Sequence, residues 1–174
     1  MESAEALAAN QKSRRNVTIE LTNLTSGLLL KHPKVYLDSG DVHSPPQPTV
    51  HSMRTEVCNF TKRDGATSGA VGVMTYDIYD HGTAAAKLAI MFSVPYDYNI
   101  YKNWVAVGIV EKERETNKKL YEEMYNCKDM KNFVRQQCNG SCLTYEHGRM
   151  DVKVTMSPMG RAIMKVEVWD KHFH

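Results

Sequence analysis

Two stretches of strict hydrophobic alternation, one near each end of the chain, constrain it most. Between Asn16 and Asn23, Val17, Ile19 and Leu21 alternate with Thr18, Glu20 and Thr22. That is the period of a strand with one face buried. Val152, Val154 and Met156 repeat the pattern, Ser157-Pro158-Met159-Gly160 makes a turn, and Ala162, Met164, Val166 and Val168 resume it. The second stretch therefore reads as a hairpin. A slip of one residue would turn every one of these side chains to water, so both segments are committed to sheets.

The chain between them is also strand-like. Leu28-Leu29-Leu30 follows Ser26-Gly27, and Lys34-Val35-Tyr36-Leu37 follows a break at Pro33. Val50 to Phe60, Gly69 to Tyr76, Lys87 to Val94 and Ile100 to Val110 are apolar, aromatic or β-branched runs. Ser44-Pro45-Pro46-Gln47-Pro48 cannot donate to a ladder and reads as a loop. Among Lys and Glu, Leu120, Tyr121, Met124 and Tyr125 recur at helical spacing, which predicts a helix over 115–126. A second helix is expected around Asp129 to Gln137. No repeat of about 20–50 residues interrupts this order. The expected architecture is mainly β: a β-sandwich flanked by two short helices.

A length of 174 residues suits one domain. With 42% hydrophobic and 24% charged residues, disorder and fibrous structure are disfavoured. A net charge of +2 is too weak a field to indicate a nucleic-acid partner. No apolar run approaches the ~18–20 residues of a membrane-spanning helix, and no export signal is visible at Met1–Asn10, so a soluble monomer is expected. Cys58, Cys127, Cys138 and Cys142 are too few for a disulfide scaffold. Free thiols, one bridge between Cys138 and Cys142, or a metal site using Cys127 are the alternatives. The compartment stays open with them: cytosolic if the thiols are free. Asn16, Asn23, Asn59 and Asn139 begin glycosylation triplets, which matter only in the secretory pathway. His172 and His174 are close enough to share a metal but lie at the extreme C-terminus, while His32, His43 and His51 share no recognised spacing. No metal or cofactor is expected. Neither a nucleophile elbow, a zinc-protease helix nor a phosphate loop occurs, so an enzyme is not expected.

The segment that speaks to function is Ser93-Val94-Pro95-Tyr96-Asp97-Tyr98-Asn99-Ile100-Tyr101-Lys102-Asn103-Trp104. It gathers tyrosines and a tryptophan around a proline, and Tyr121 and Tyr125 follow on one helical face. Such side chains have apolar bodies and polar tips that suit a water–lipid boundary. A ring of tyrosines also offers cation–π faces to a quaternary ammonium such as choline. Ordinary packing at a sandwich corner is the competing reading.

The order Ser-Val-Pro-Tyr-Asp-Tyr-Asn, then Tyr-x-Asn-Trp, then Leu-Tyr-Glu-Glu-Met-Tyr resembles the actinoporins, the sea-anemone pore-forming cytolysins. Gly69-Ala70-Val71-Gly72-Val73 and the Met150–Val168 hairpin fit it too, and the resemblance covers roughly residues 15–174. It implies a β-sandwich flanked by two helices that binds sphingomyelin or phosphatidylcholine head groups, with a secreted protein acting at a target cell membrane. It implies a monomer in solution whose N-terminal amphipathic helix enters the bilayer and oligomerises into a pore. Carried over by position, the phosphocholine pocket would be Ser39, Val71, Ser93, Pro95, Tyr101, Tyr121 and Tyr125. Tyr101, Tyr121 and Tyr125 would enclose the ammonium, and Ser39 and Ser93 would bond the phosphate. Tyr96, Tyr98, Ile100, Trp104 and Arg15 would contact the membrane. The chain departs from the family at Asn126, which replaces a pocket tyrosine, and at Ile100 and Val105, which replace tryptophans. The family's Arg-Gly-Asp tripeptide is absent; Glu146-His147-Gly148 occupies that neighbourhood. Since such a pocket faces solvent, replacing Tyr121 and Tyr125 together by alanine should remove lipid binding without unfolding the sandwich.

Residues 1–14 would form the N-terminal amphipathic segment and 15–174 the lipid-binding sandwich. Fourteen helical residues rise about 21 Å, against about 30 Å of hydrocarbon. Leu7 is the only large apolar side chain between Met1 and Val17. Weak or absent lysis is therefore expected, although membrane binding is. A non-lytic, lectin-like module for choline lipids or glycans is the alternative, since fungal fruit-body lectins share the family's fold.

Overall fold

Both alternating segments lie side by side in one sheet. A computed structural model describes residues 3–9, 13–128 and 132–170. In chain order the elements are α1 (Ala4–Ala9), β1 (Asn16–Leu24), β2 (Leu29–Ser39), β3 (Asp41–Ser44), β4 (Thr49–Val50), β5 (Arg54–Thr61), β6 (Ala70–Asp80), β7 (Thr83–Val94) and β8 (Trp104–Val110). There follow α2 (Lys118–Tyr125), β9 (Phe133–Gln137), β10 (Leu143–His147), β11 (Met150–Met156) and β12 (Arg161–Asp170). One six-stranded sheet runs β10-β11-β12-β1-β5-β3, and the other runs β4-β2-β6-β7-β8-β9. β1 pairs with β12 in parallel, Val17 opposite Ala162 and Leu21 opposite Val166. The alternation thus sends both sets of apolar side chains to the same inner face.

Between the sheets Val17, Ile19, Leu21, Phe60, Leu88, Ile90, Phe92, Val154, Met164 and Val166 form the main core. Phe60 and Phe92 stack across it with ring centroids 4.9 Å apart. The mainly β sandwich with two short flanking helices is borne out, with α1 on the outer face of one sheet and α2 on the outer face of the other. The second helix, however, is α1. Where a helix was expected around Asp129 to Gln137, Phe133–Gln137 form strand β9, and residues 129–131 lie outside those described. Pairing with β8 decides this: Phe133 sits opposite Gly108 and Arg135 opposite Ala106. That edge is filled only by a segment distant in sequence, so local composition did not reveal it.

Boundaries also differ from expectation: the Val50–Phe60 run divides between β4 and β5, which belong to different sheets. β2 continues through Pro33, with a register shift between Lys31 and Lys34 and a left-handed His32 (φ 56°) absorbing the missing N–H. Ile100 to Asn103 remain in a loop, and β8 starts at Trp104. Ser44 closes β3, and Pro45 to Pro48 of the expected loop connect it to β4. The expectation at His172 and His174 lies outside the described residues.

All four cysteines are free. Burial pushes the Cys58 and Cys138 thiols up to about 12. Asn16, Asn23 and Asn59 are buried, so the folded chain does not offer them for glycosylation. Asn23 fastens three segments: its Nδ2 donates to the Leu28 and Val50 carbonyls (2.7 and 3.1 Å), and its Oδ1 accepts from the Thr25 hydroxyl at 2.7 Å. Replacing Asn23 by alanine takes a donor from the Val50 carbonyl and an acceptor from the Thr25 amide, while the Thr25 hydroxyl and Leu28 carbonyl keep each other at 3.3 Å. About 1–3 kcal/mol of stability should be lost in a denaturant titration.

α1 is held lightly. Ala4, Leu7 and Ala8 pack on Val57 and Ile163, and Lys165 Nζ lies 2.8 Å from Glu5 Oε1. The Lys165 hydrogen bond, with its charge adding, holds the Glu5 carboxyl below its ordinary value of 4.5, and the same hydrogen bond raises Lys165 above 10.5. A depressed carboxylate stabilises above its unfolded value and loses that contribution as pH falls through its folded one. The raised lysine stabilises below its unfolded value and loses that contribution as pH rises through its folded one. Attachment of α1 should therefore be fullest between about 4.5 and 10.5 and should loosen on acidification. Exchange protection of the Leu7 amide, which donates to the Ser3 carbonyl at 3.0 Å, reports it after correction for intrinsic rates.

Candidate functional site

The site grows from an interruption in the outer face of the second sheet. Val73, Met91, Ala106 and Phe133 are register neighbours or near neighbours on that face and carry α2. The helix starts at Asn117, whose side chain accepts from the Leu120 amide at 3.0 Å, and it buries Leu120, Tyr121 and Met124. Side chains two residues along a strand share a face. Val71, Ser93, Trp104 and Arg135 therefore continue the same outer face past the end of the helix. Ser39, Val71, Ser93, Trp104 and Gln137 form one cross-strand row.

Above this row the rings assemble. Tyr121 lies 5.8 Å from Tyr125 and 6.4 Å from Tyr36, centroid to centroid. The Arg135 guanidinium stands 3.9 Å from the Trp104 ring centroid and 5.8 Å from that of Tyr125. Tyr36 donates its phenol hydrogen to Asp38 Oδ1 at 3.3 Å. Burial is the first cause raising the Tyr121 and Tyr36 phenols above their usual range, with the Asp38 and Glu122 carboxylates adding to it. Both phenols stay protonated at neutral pH and can donate hydrogen bonds.

Of the seven residues carried over to a phosphocholine pocket, Val71, Ser93, Tyr121 and Tyr125 converge here, with Ser39 at the end of the row. Pro95 is buried two residues beyond Ser93. Tyr101 stands apart: it is 55% exposed, and among the described residues it joins no ring pair. Sequence reasoning missed Tyr36 and Arg135, which have no local signal beyond strand alternation. It also took Tyr121 for a solvent-lined side chain, but Tyr121 is only 8% exposed and belongs to the packing beneath α2. The double alanine replacement would therefore disturb the fold as well as the site.

The aromatic loop lies at the same end of the sheet. Tyr96, Ile100 and Tyr101 are 42%, 67% and 55% exposed, and Met159, on the β11–β12 turn, is 65% exposed. Arg15 stacks 4.6 Å from the Tyr98 ring centroid and 5.8 Å from that of Tyr96, and its Nε donates to the Tyr96 carbonyl at 3.1 Å. Arg14, Arg15, Lys62, Tyr96 and Tyr98 border an open cavity of about 720 Å³. Asn103 locks the loop. Its Nδ2 donates to the Ser157 and Met159 carbonyls at 3.0 Å each, and its Oδ1 accepts from the Tyr98 hydroxyl at 2.6 Å. Trp104 is half-buried beneath Arg135 rather than at the loop tip.

The family model described as sea anemone cytotoxic protein matches residues 4–170. The chain belongs to this family. The resemblance to the actinoporins is thereby borne out. DELTA-alicitoxin-Pse1b of Phyllodiscus semoni is 37% identical over 118 residues, 66% of this chain and 49% of that protein. Deep-sea actinoporin Cjtox I of Cribrinopsis japonica is 33% identical over 111 residues, 64% of this chain and 48% of that protein. The chain spans about half the length of these cytotoxic-protein relatives. In fold it is similar to the lipid binding protein Nakanori, with a TM-score of 0.74, 14% identity, and coverage of 95% of this chain and 76% of the other.

Proposed function

We propose that this family member binds membranes by seating a phospho-head group on the Tyr36–Tyr121–Tyr125–Trp104 platform while the neighbouring loop enters the interface. The observation that carries the reading is the shared placement of platform and exposed apolar tip at one end of the molecule. Sphingomyelin and phosphatidylcholine are the head groups named by the family resemblance. Ser93 and the tyrosine phenols supply donors for phosphate oxygens. Each well-placed ring contributes about 0.5–2 kcal/mol toward a cation. Ile100 in the acyl boundary would add about 1.5–3 kcal/mol on full burial. Arg15 and Lys62 sit beside the tip and would meet lipid phosphates.

Membrane perforation belongs to the same proposal as its second step. α1 would leave the sheet, exposing little apolar area because Leu7 is its only large buried side chain. The 174-residue chain is expected to sediment with sphingomyelin vesicles and to release entrapped dye weakly. Failure to sediment with vesicles that contain sphingomyelin, at low salt as well as high, would remove the binding step. Prompt dye release at nanomolar protein would show that the N-terminal segment does more than its amphipathicity suggests.

A further inference from the structure

The platform has two electrical poles. At one end the Arg135 guanidinium is stacked on Trp104 and faces Tyr125, the slot in which rings hold a cation; here the chain fills it with its own. Arg135 Nε is buried and, among the described residues, has no hydrogen-bond partner. The side chain as a whole is half-buried, so its charge stays within reach of an oxyanion at the edge of the platform. At the other end stands the Asp38 carboxylate, which accepts from the Tyr36 phenol beside Tyr121. Glu122 adds a second carboxylate there, itself 3.8 Å from Lys118.

A zwitterionic head group laid across these poles places its phosphate toward Arg135 and its ammonium toward Asp38. Choline and ethanolamine differ in what they gain from that arrangement. Trimethylammonium has no N–H and depends on being enclosed by rings, one slot of which is taken. A primary ammonium carries three donors and pairs directly with a carboxylate. We infer that the platform takes phosphoethanolamine head groups at least as well as phosphocholine ones, with Arg135 and Asp38 setting the choice. This rests on the platform being the head-group site.

The test is a titration of the full chain with two soluble diesters, glycerophosphoethanolamine and glycerophosphocholine. The quantity read is the ratio of the choline to the ethanolamine dissociation constant. It should be one or more in the unsubstituted protein. It should fall at least about threefold in Asp38→Asn, which loses the carboxylate, and in Arg135→Gln, which frees the ring slot. Arg135→Lys, which keeps the charge without the planar stack, replaces the glutamine variant if that one does not fold. Tighter binding of the choline diester by the unsubstituted protein, or a smaller change in either variant, overturns the inference. If neither diester shifts the Trp104 indole resonance, the platform itself is not the site, and that reading falls with the inference.

Discussion

Replacing Tyr125 by alanine should lower binding to sphingomyelin vesicles severalfold, up to about thirtyfold, while moving the melting temperature by only a few degrees. Tyr125 is half-buried, and its ring meets Tyr121 and Arg135 at the edge of the platform. A lost ring is worth up to about 2 kcal/mol toward a cation, and about 1.4 kcal/mol is a factor of ten in affinity. Tyr121 behaves differently because it is packed under α2. Its replacement by alanine removes a buried aromatic and should cost about 3–5 kcal/mol of stability. Tyr121→Phe keeps the ring and loses only the hydroxyl, which makes it the cleaner probe of phosphate contact. Vesicle sedimentation beside a thermal melt separates the two roles. Equal loss of stability in both alanine variants would mean that Tyr125 is structural too.

The second large effect is expected at Asn103, which is 2% exposed. In Asn103→Ala the Ser157 and Met159 carbonyls lose a donor and the Tyr98 hydroxyl loses its acceptor. Each buried group left unmatched costs about 1–3 kcal/mol. The three losses together cost at least about 3 kcal/mol, and at about 2–4 °C per kcal/mol the melting temperature should fall by about 6 °C or more. The aromatic loop and the Met159 turn should also come apart, weakening vesicle binding beyond what the lost stability explains. Trypsin cleavage at Lys102, slow in the native chain and fast in the variant, would report the opened loop. A variant that melts with the native protein and resists cleavage would deny Asn103 this locking role.

How far the sequence revealed the molecule depends on how local each cause is. The strands at Val17–Leu21 and Val152–Val168 carry their own period, and α2 carries its own stripe. Leu7 was likewise visible as the one large apolar side chain near the N-terminus, although its partners Val57 and Ile163 come from distant strands. β9 was misread because Phe133 and Val134 stand among polar residues, and only the β8 edge turns them into a strand. Arg135 follows from that misreading: a lone arginine points at Trp104 only once Ala106 and Arg135 are in register. Asn103 lay in the diagnostic aromatic segment, yet its partners are more than fifty residues away at the β11–β12 turn. Tyr36 read as one more strand residue until α2 was laid across it.

The head-group site is tested most directly by mapping where phosphocholine binds on the isotopically labelled chain, amide by amide. Shifts should cluster at Val71, Ser93, Trp104, Tyr121 and Tyr125, with the Arg135 side chain moving as the phosphate meets its guanidinium. At the opposite end of the sandwich, Leu28, Asp80, His81, His147 and Arg149 border a cavity of about 640 Å³. Shifts confined to that cavity, with the platform silent, would contradict the account.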